Sequence, residues 1–122
     1  MQTKDDALVT LGGLATCDAC RRARRWLADR GVDARFRDFR DNPPSRAEVG
    51  RWADRVGWET LLNRRSTTWR SLPPAHREAL DRHRAVALMA GHPALVKRPV
   101  LEAPGEVLVG FDAEAWARAV AP

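Results

Sequence analysis

The sequence predicts an α/β fold: a mixed four-stranded sheet with flanking helices and a helical insertion. Three observations predict it. An apolar, β-branched stretch at residues 7–11 leads through Gly12, Gly13 and Thr16 into a helical run, RRARRWLADRG, and then into a second apolar stretch at 32–39. A long and mostly helical middle follows. Two short apolar runs separated by Ala103-Pro104-Gly105 then precede a closing helical segment. A chain of 122 residues has room for one real core but not for two independent ones. A single domain over 7–121, with its insertion at about 44–92, is therefore expected.

Each element has a local reason. Residues 7–11 alternate little, which suits a strand buried on both faces, and the two glycines are expected to end it. In the helix, Ala23, Trp26 and Leu27 recur at helical spacing with arginines on the other side, and Gly31 suits its C-terminal cap. Over 32–39, Ala34, Phe36 and Phe39 interleave with Arg35 and Arg37, a strand pattern. Strand, helix and strand of these lengths make a βαβ unit with a right-handed crossover. Asp41-Asn42-Pro43-Pro44 breaks the chain, and Ser45 with Glu48 forms a capping box for a helix to about Arg55, stopped by Gly57. Next come a helical turn at 59–62, a polar, Thr-rich loop ordered by Trp58 and Trp69, and one helix over 74–90 ended by Gly91, His92 and Pro93. Residues 100–101 and 106–109 read as a hairpin. Asp112 caps a last helix over 112–120, with Trp116 and Val120 facing the core. Taken in this order, the elements are those of a thioredoxin-like fold.

Charge and composition narrow the function. The formal charge is +5 and the pI about 10.5. The cations are overwhelmingly arginines spread through every segment with Asp and Glu between them, as solvated helix faces are, so no direct nucleic-acid binding is expected. No 18-residue apolar run exists to cross a membrane. The opening MQTKDDA has neither an apolar h-region nor a small-residue cleavage site, which makes the cytoplasm the expected location.

Cys17 and Cys20, in Cys17-Asp18-Ala19-Cys20, are the chain's two cysteines. The loop they would close is too small for a useful structural cross-link, so the spacing reads as redox or metal chemistry. A thiol at a helix start meets unpaired backbone N–H groups and the positive end of the helix dipole, and Arg21 and Arg22 add positive charge. All of these favour the thiolate of Cys17, the form that attacks a disulfide or an oxyanion centre. Cys20 lies one turn on and on the same helix face, placed to resolve an intermediate formed at Cys17. Two bland alternatives stand beside this: both thiols as small buried hydrophobes, or a zinc half-site. The second lacks a partner CxxC, and His76, His83 and His92 do not have ligand spacing, so no metal is expected. Arg98-Pro99 is a second constellation. A proline opening a strand after a turn is often cis, and in a thioredoxin-like fold it would lie beside Cys17 and present Arg98 to the sulfur. Pattern alone equally allows a strand-edge proline with an exposed arginine.

The run Thr16, Cys17, Arg21, Arg22, Ala23, Trp26, Leu27, then Gly31-Val32, the block Asn63-Arg64-Arg65-Ser66-Thr67-Thr68-Trp69-Arg70, and Lys97-Arg98-Pro99-Val100 occur in one order. Together they resemble the ArsC/Spx family of arsenate reductase-like proteins over about residues 9–120, and most of all its YffB branch of small glutathione-dependent thiol reductases. The resemblance implies a cis-proline at Pro99, Cys17 as nucleophile, and Arg98 as the group that binds an anionic substrate or stabilises the thiolate. It places Arg64 near a second anion-binding arginine, to within a residue, and adds Thr16, Arg21 and Pro99 to the substrate-binding set. Glutathione is the implied co-substrate, with a thiolated or oxyanion substrate and with glutaredoxin or thioredoxin as partners. Two departures matter. Arsenate reductases carry a further arginine near the end of the hairpin, where this chain has Leu108-Val109-Gly110-Phe111, which counts against arsenate. Cys20 is similar instead to the second cysteine of the CxxC switch in Spx-type regulators. The competing expectations are therefore a redox-sensing regulator that binds RNA polymerase through a Cys17-Cys20 disulfide, or a glutathione-binding module without turnover.

Overall fold

Most strands and helices follow from local residue chemistry, and a few boundaries fall where the sequence reading did not put them. The computed structural model describes residues 9–120. Ala7 and Leu8 of the expected first strand, and Ala121 of the expected domain, lie outside them. Strand β1 is Val9–Gly13, so Gly12 and Gly13 belong to the strand and do not end it. Their lack of a side chain answers to close neighbours. A Cβ on Gly12 would run into the Phe39 ring, and one on Gly13 into the Cys20 sulfur. Helix α1, Asp18–Asp29, begins after Cys17 at the N-cap. It ends in a Schellman motif: Gly31 sits at φ 71°, its N–H reaches Ala28 O at 3.0 Å, and Val32 N reaches Leu27 O at 3.0 Å. Strand β2, Ala34–Asp38, runs parallel to β1.

After the inserted segment come β3, Val100–Ala103, and β4, Glu106–Val109, an antiparallel hairpin. Helix α7, Ala113–Ala119, is capped by Asp112, whose carboxylate accepts from Glu114 N and Ala115 N. β3 pairs antiparallel with β1, giving a mixed four-stranded sheet in the order β2-β1-β3-β4, as expected. Among the described residues, 9–42 and 98–120 form one compact unit and Pro43–Lys97 a second.

The core of the first unit lies on one face of the sheet. Val9 and Leu11 from β1, Leu101 from β3, Ala23 and Leu27 from α1 and Trp116 from α7 are all buried together. Each fully buried leucine contributes about 1.5–3 kcal/mol relative to exposure. Trp26, Phe111 and Trp116 meet edge-to-face, with centroids 5.0–6.2 Å apart. The Trp116 indole N–H, which could not stay dry and unpaired, donates to Gly110 O at 3.1 Å.

The second unit opens with α2, Arg46–Val56, behind the full Ser45–Glu48 capping box, and Gly57 ends it at φ 89°. α3 is Trp58–Leu61. The Thr-rich segment expected as a loop contains a short helix, α4, Thr67–Ser71, because Ser66 Oγ accepts from Trp69 N at 3.1 Å and nucleates the turn. The single helix expected over 74–90 is two: α5, Pro74–Arg77, and α6, Arg82–Gly91. Asp81 is the reason. Its carboxylate accepts Arg84 N at 2.8 Å, starting a new helix in place of continuing the old one. Ala79 takes up the break at φ 52°, held by Arg84 Nη1 on its carbonyl at 3.1 Å. A 3-10 turn at Pro93–Leu95 and a Leu62–Val96 bridge close the unit.

Candidate active site

Cys17 occupies the N-cap of α1 in an extended conformation, φ −82° and ψ 127°. The preceding turn is closed by Cys17 N on Leu14 O at 3.1 Å, and the first helical bond runs from Arg21 N to Cys17 O at 2.9 Å. This geometry turns the sulfur toward the N–H groups that an α-helix leaves unpaired. Burial pushes the Cys17 thiol up. The N–H of Cys20, the Cys20 thiol, the Arg98 guanidinium and the N–H of Ala19 outweigh that and hold it below the ordinary thiol value. Cys17 is half-buried and Cys20 fully buried, and both are free thiols.

The second thiol behaves oppositely. Burial, together with the hydrogen bond to Cys17 and its charge, pushes Cys20 up to about 11, against the smaller opposing effects of the Leu14 backbone and Arg98. At neutral pH it is a protonated donor to the Cys17 sulfur. Its own sulfur fills the space where a Gly13 Cβ would stand, and the Pro99 Cα lies 3.8 Å from the same point. Gly13, absent from the sequence reading of the site, is thus what lets β1 approach both Cys20 and Pro99.

The Arg98-Pro99 peptide is cis, and Pro99 is fully buried with its carbonyl accepting Gly110 N at 2.9 Å. The Arg98 Nε is buried and has no hydrogen-bond partner, while the guanidinium acts on the Cys17 sulfur. Cys17, Cys20, Arg98 and Pro99 therefore come together in one place. Thr16 is exposed beside them, and Arg40 Nη2 lies 3.5 Å from its Oγ1. Arg21 pairs with Asp18 on the exposed face of α1, and this pairing holds the Asp18 carboxyl below its usual range. Arg64 belongs to the second unit, where its guanidinium lies 6.0 Å from the Trp58 ring centre and 5.8 Å from that of Trp69. In the stretch Leu108-Val109-Gly110-Phe111 at the end of the hairpin, Phe111 packs against Trp26 and Trp116.

Asp38 is the residue that the sequence reading missed. A carboxylate at the end of a strand forms no motif, yet this one binds the loop before Cys17, accepting Ala15 N at 3.1 Å. Among the described residues no cluster of three or more His, Cys, Asp or Glu could hold a metal, and no helix is long and apolar enough to cross a membrane.

Comparison with known proteins extends this picture. The profile of the ArsC family matches residues 13–119. The solved structure of a YffB protein is 41% identical with a TM-score of 0.89, covering 93% of this chain and 99% of that one. An arsenate reductase (ArsC) related protein from Brucella melitensis is 38% identical with a TM-score of 0.71, covering 93% and 95%. The global transcriptional regulator Spx of Streptococcus pyogenes is 29% identical over 107 residues, 86% of this chain and 79% of the regulator.

Proposed function

This chain belongs to the ArsC family, and on that premise we propose that it is a glutathione-dependent thiol reductase with Cys17 as nucleophile. The observation that carries the reading is the Cys17 sulfur at the α1 N-terminus, held below the ordinary thiol value by backbone N–H groups, Cys20 and Arg98. A thiolate in that setting attacks a disulfide sulfur. With a mixed disulfide of glutathione, the Cys17 thiolate bonds to the glutathione sulfur, the S–S bond breaks, and the substrate thiolate leaves to take a proton from solvent. A second glutathione thiolate then attacks the glutathione sulfur of the adduct and releases oxidised glutathione and the Cys17 thiolate. In sum, one mixed disulfide and one glutathione give one substrate thiol and one oxidised glutathione.

Arg98 is the group suited to hold an anionic portion of the substrate beside the thiolate, its buried Nε having a donor to spare. Thr16 and Pro99 line the same place, and Arg64 is assigned as a second anion contact. Arg21, the remaining residue of this set, is paired with Asp18 on the exposed face of α1. Cys20, protonated at neutral pH, fits the role of hydrogen-bond donor to Cys17 better than that of competing nucleophile, which favours external glutathione as the resolving thiol. A Cys17–Cys20 disulfide, if formed, would call for reduction by glutaredoxin or thioredoxin. The lack of an arginine in Leu108-Val109-Gly110-Phe111 argues against arsenate as the substrate, and the activity is assigned to the cytoplasm. Turnover of a glutathione mixed disulfide with glutathione tests the reading: the Cys17→Ser variant is expected to fall to background, and retained turnover refutes it.

A second reading has two observations in its favour. Cys20 hydrogen-bonds to Cys17, and a Spx regulator is among the relatives. In it, a Cys17–Cys20 disulfide changes a surface that binds RNA polymerase. Pull-down of polymerase subunits by the oxidised but not the reduced chain supports it, and no capture in either state removes it.

A further inference from the structure

The Asp38 carboxylate stands at the end of β2 and accepts two backbone N–H groups from different stretches of chain. Oδ2 takes Ala15 N at 3.1 Å and Oδ1 takes Arg40 N at 2.8 Å. Ala15 lies two residues before Cys17, inside the turn that Cys17 N closes on Leu14 O. Arg40, so fixed, brings Nη2 to 3.5 Å from Thr16 Oγ1. Residues 15 and 16 are thus tied to the end of β2 across 23 and 24 positions of sequence. Besides these ties, the segment from Leu14 to Thr16 is held by its own turn and by the Leu14 N–H on the Cys20 sulfur.

We infer that Asp38 is a positioning residue for Cys17: by holding Ala15 and Arg40, its carboxylate fixes the turn that keeps the sulfur in line with the N–H groups of Ala19 and Cys20. Hydrogen bonds from backbone N–H to a carboxylate are charge-assisted and stronger than those between neutral groups. Donation to a thiolate, in turn, weakens steeply as the angle at the hydrogen closes. A turn that drifts therefore costs the thiolate its stabilisation without moving α1 itself. The same carboxylate also has a direct electrostatic effect, and that effect has the opposite sign: removing a negative charge near a thiol favours its ionisation. The two mechanisms are separable by direction.

The inference rests on the reading of Cys17 as the nucleophile, but its test does not use turnover. Alkylation of full-length protein by iodoacetamide, quantified by mass spectrometry on the Cys17 peptide from acid to alkaline pH, gives the midpoint of thiol ionisation. For Asp38→Ala the midpoint is expected to rise by about half a pH unit, with roughly threefold slower alkylation at pH values well below the midpoint and an unchanged rate at alkaline pH. For Asp38→Asn, whose amide oxygen can keep one N–H while its NH2 opposes the other, a smaller rise is expected. A midpoint that falls in both variants shows a simple charge effect and overturns the inference. So does a lowered melting temperature with an unchanged profile. If Asp38→Ala does not fold, Asp38→Asn decides alone. The wild-type midpoint tests the nucleophile reading separately, because only the difference between variant and wild type bears on Asp38.

Discussion

Replacing Gly13 by alanine places a methyl group where the Cys20 sulfur now sits, with the Pro99 backbone 3.8 Å away on another side. Gly13 is not among the residues with positive φ, so alanine fits the backbone and the whole effect comes from the added atom. Cys20 is fully buried within α1, and a sulfur so placed can escape only by rotating away from Cys17 or by moving the helix. Overpacking of this kind costs about 1–3 kcal/mol. For 122 residues, each kcal/mol corresponds to roughly 4 °C of melting temperature. Urea unfolding is expected to show a lower midpoint at unchanged m-value, and the Cys17 alkylation profile is expected to move to higher pH as the Cys20 donor is displaced. A variant as stable as wild type to within about 0.5 kcal/mol, with an unchanged profile, would refute the close approach of β1 to the two-thiol site.

Three other outcomes follow from the same geometry. Arg98→Ala is expected to raise the ionisation midpoint of Cys17 and to slow reduction of a glutathione mixed disulfide by about tenfold or more; equal rates in variant and wild type would detach Arg98 from the chemistry. Trp116→Ala removes a fully buried indole and its bond to Gly110 O, a loss of about 3–5 kcal/mol. That is a large part of a typical net stability of about 5–15 kcal/mol, so urea unfolding should show a chain near the edge of folding. Stability should also carry an alkaline slope from Cys20. Its folded value is raised to about 11, so in that range the unfolded thiol ionises first and the contribution falls as pH rises from about 8.5 toward that value. Cys20→Ala should lack this slope, and an identical slope in both proteins would contradict the burial of the thiol.

Much of the site was legible because it rests on short-range chemistry. The i, i+3 thiols, the helix start at Cys17, the Ser45–Glu48 box and the Asp112 cap each depend on a few adjacent residues, and each stands where the pattern put it. The cis peptide before Pro99 came from family resemblance more than from pattern. What was not legible depends on contacts far apart in sequence. Gly12 and Gly13 read as strand breakers because Phe39 and Cys20, whose bulk they accommodate, are invisible to local pattern. The break between α5 and α6 depends on Asp81 choosing to cap, and periodicity counts an aspartate there as just another polar position. Asp38 left one faint signal, a carboxylate closing an alternating strand immediately before the turn at Arg40, and its partner Ala15 is a residue without side-chain chemistry.

The pH dependence of Cys17 alkylation in the wild-type chain, read on the Cys17 peptide alone, tests the central claim most directly. A sulfur ionised by the α1 N–H groups, Cys20 and Arg98 should reach half its limiting rate clearly below the value of an unperturbed cysteine, about 8.5. A half-rate point at or above that value would mean that Cys17 is an ordinary thiol and that this arrangement does not activate it.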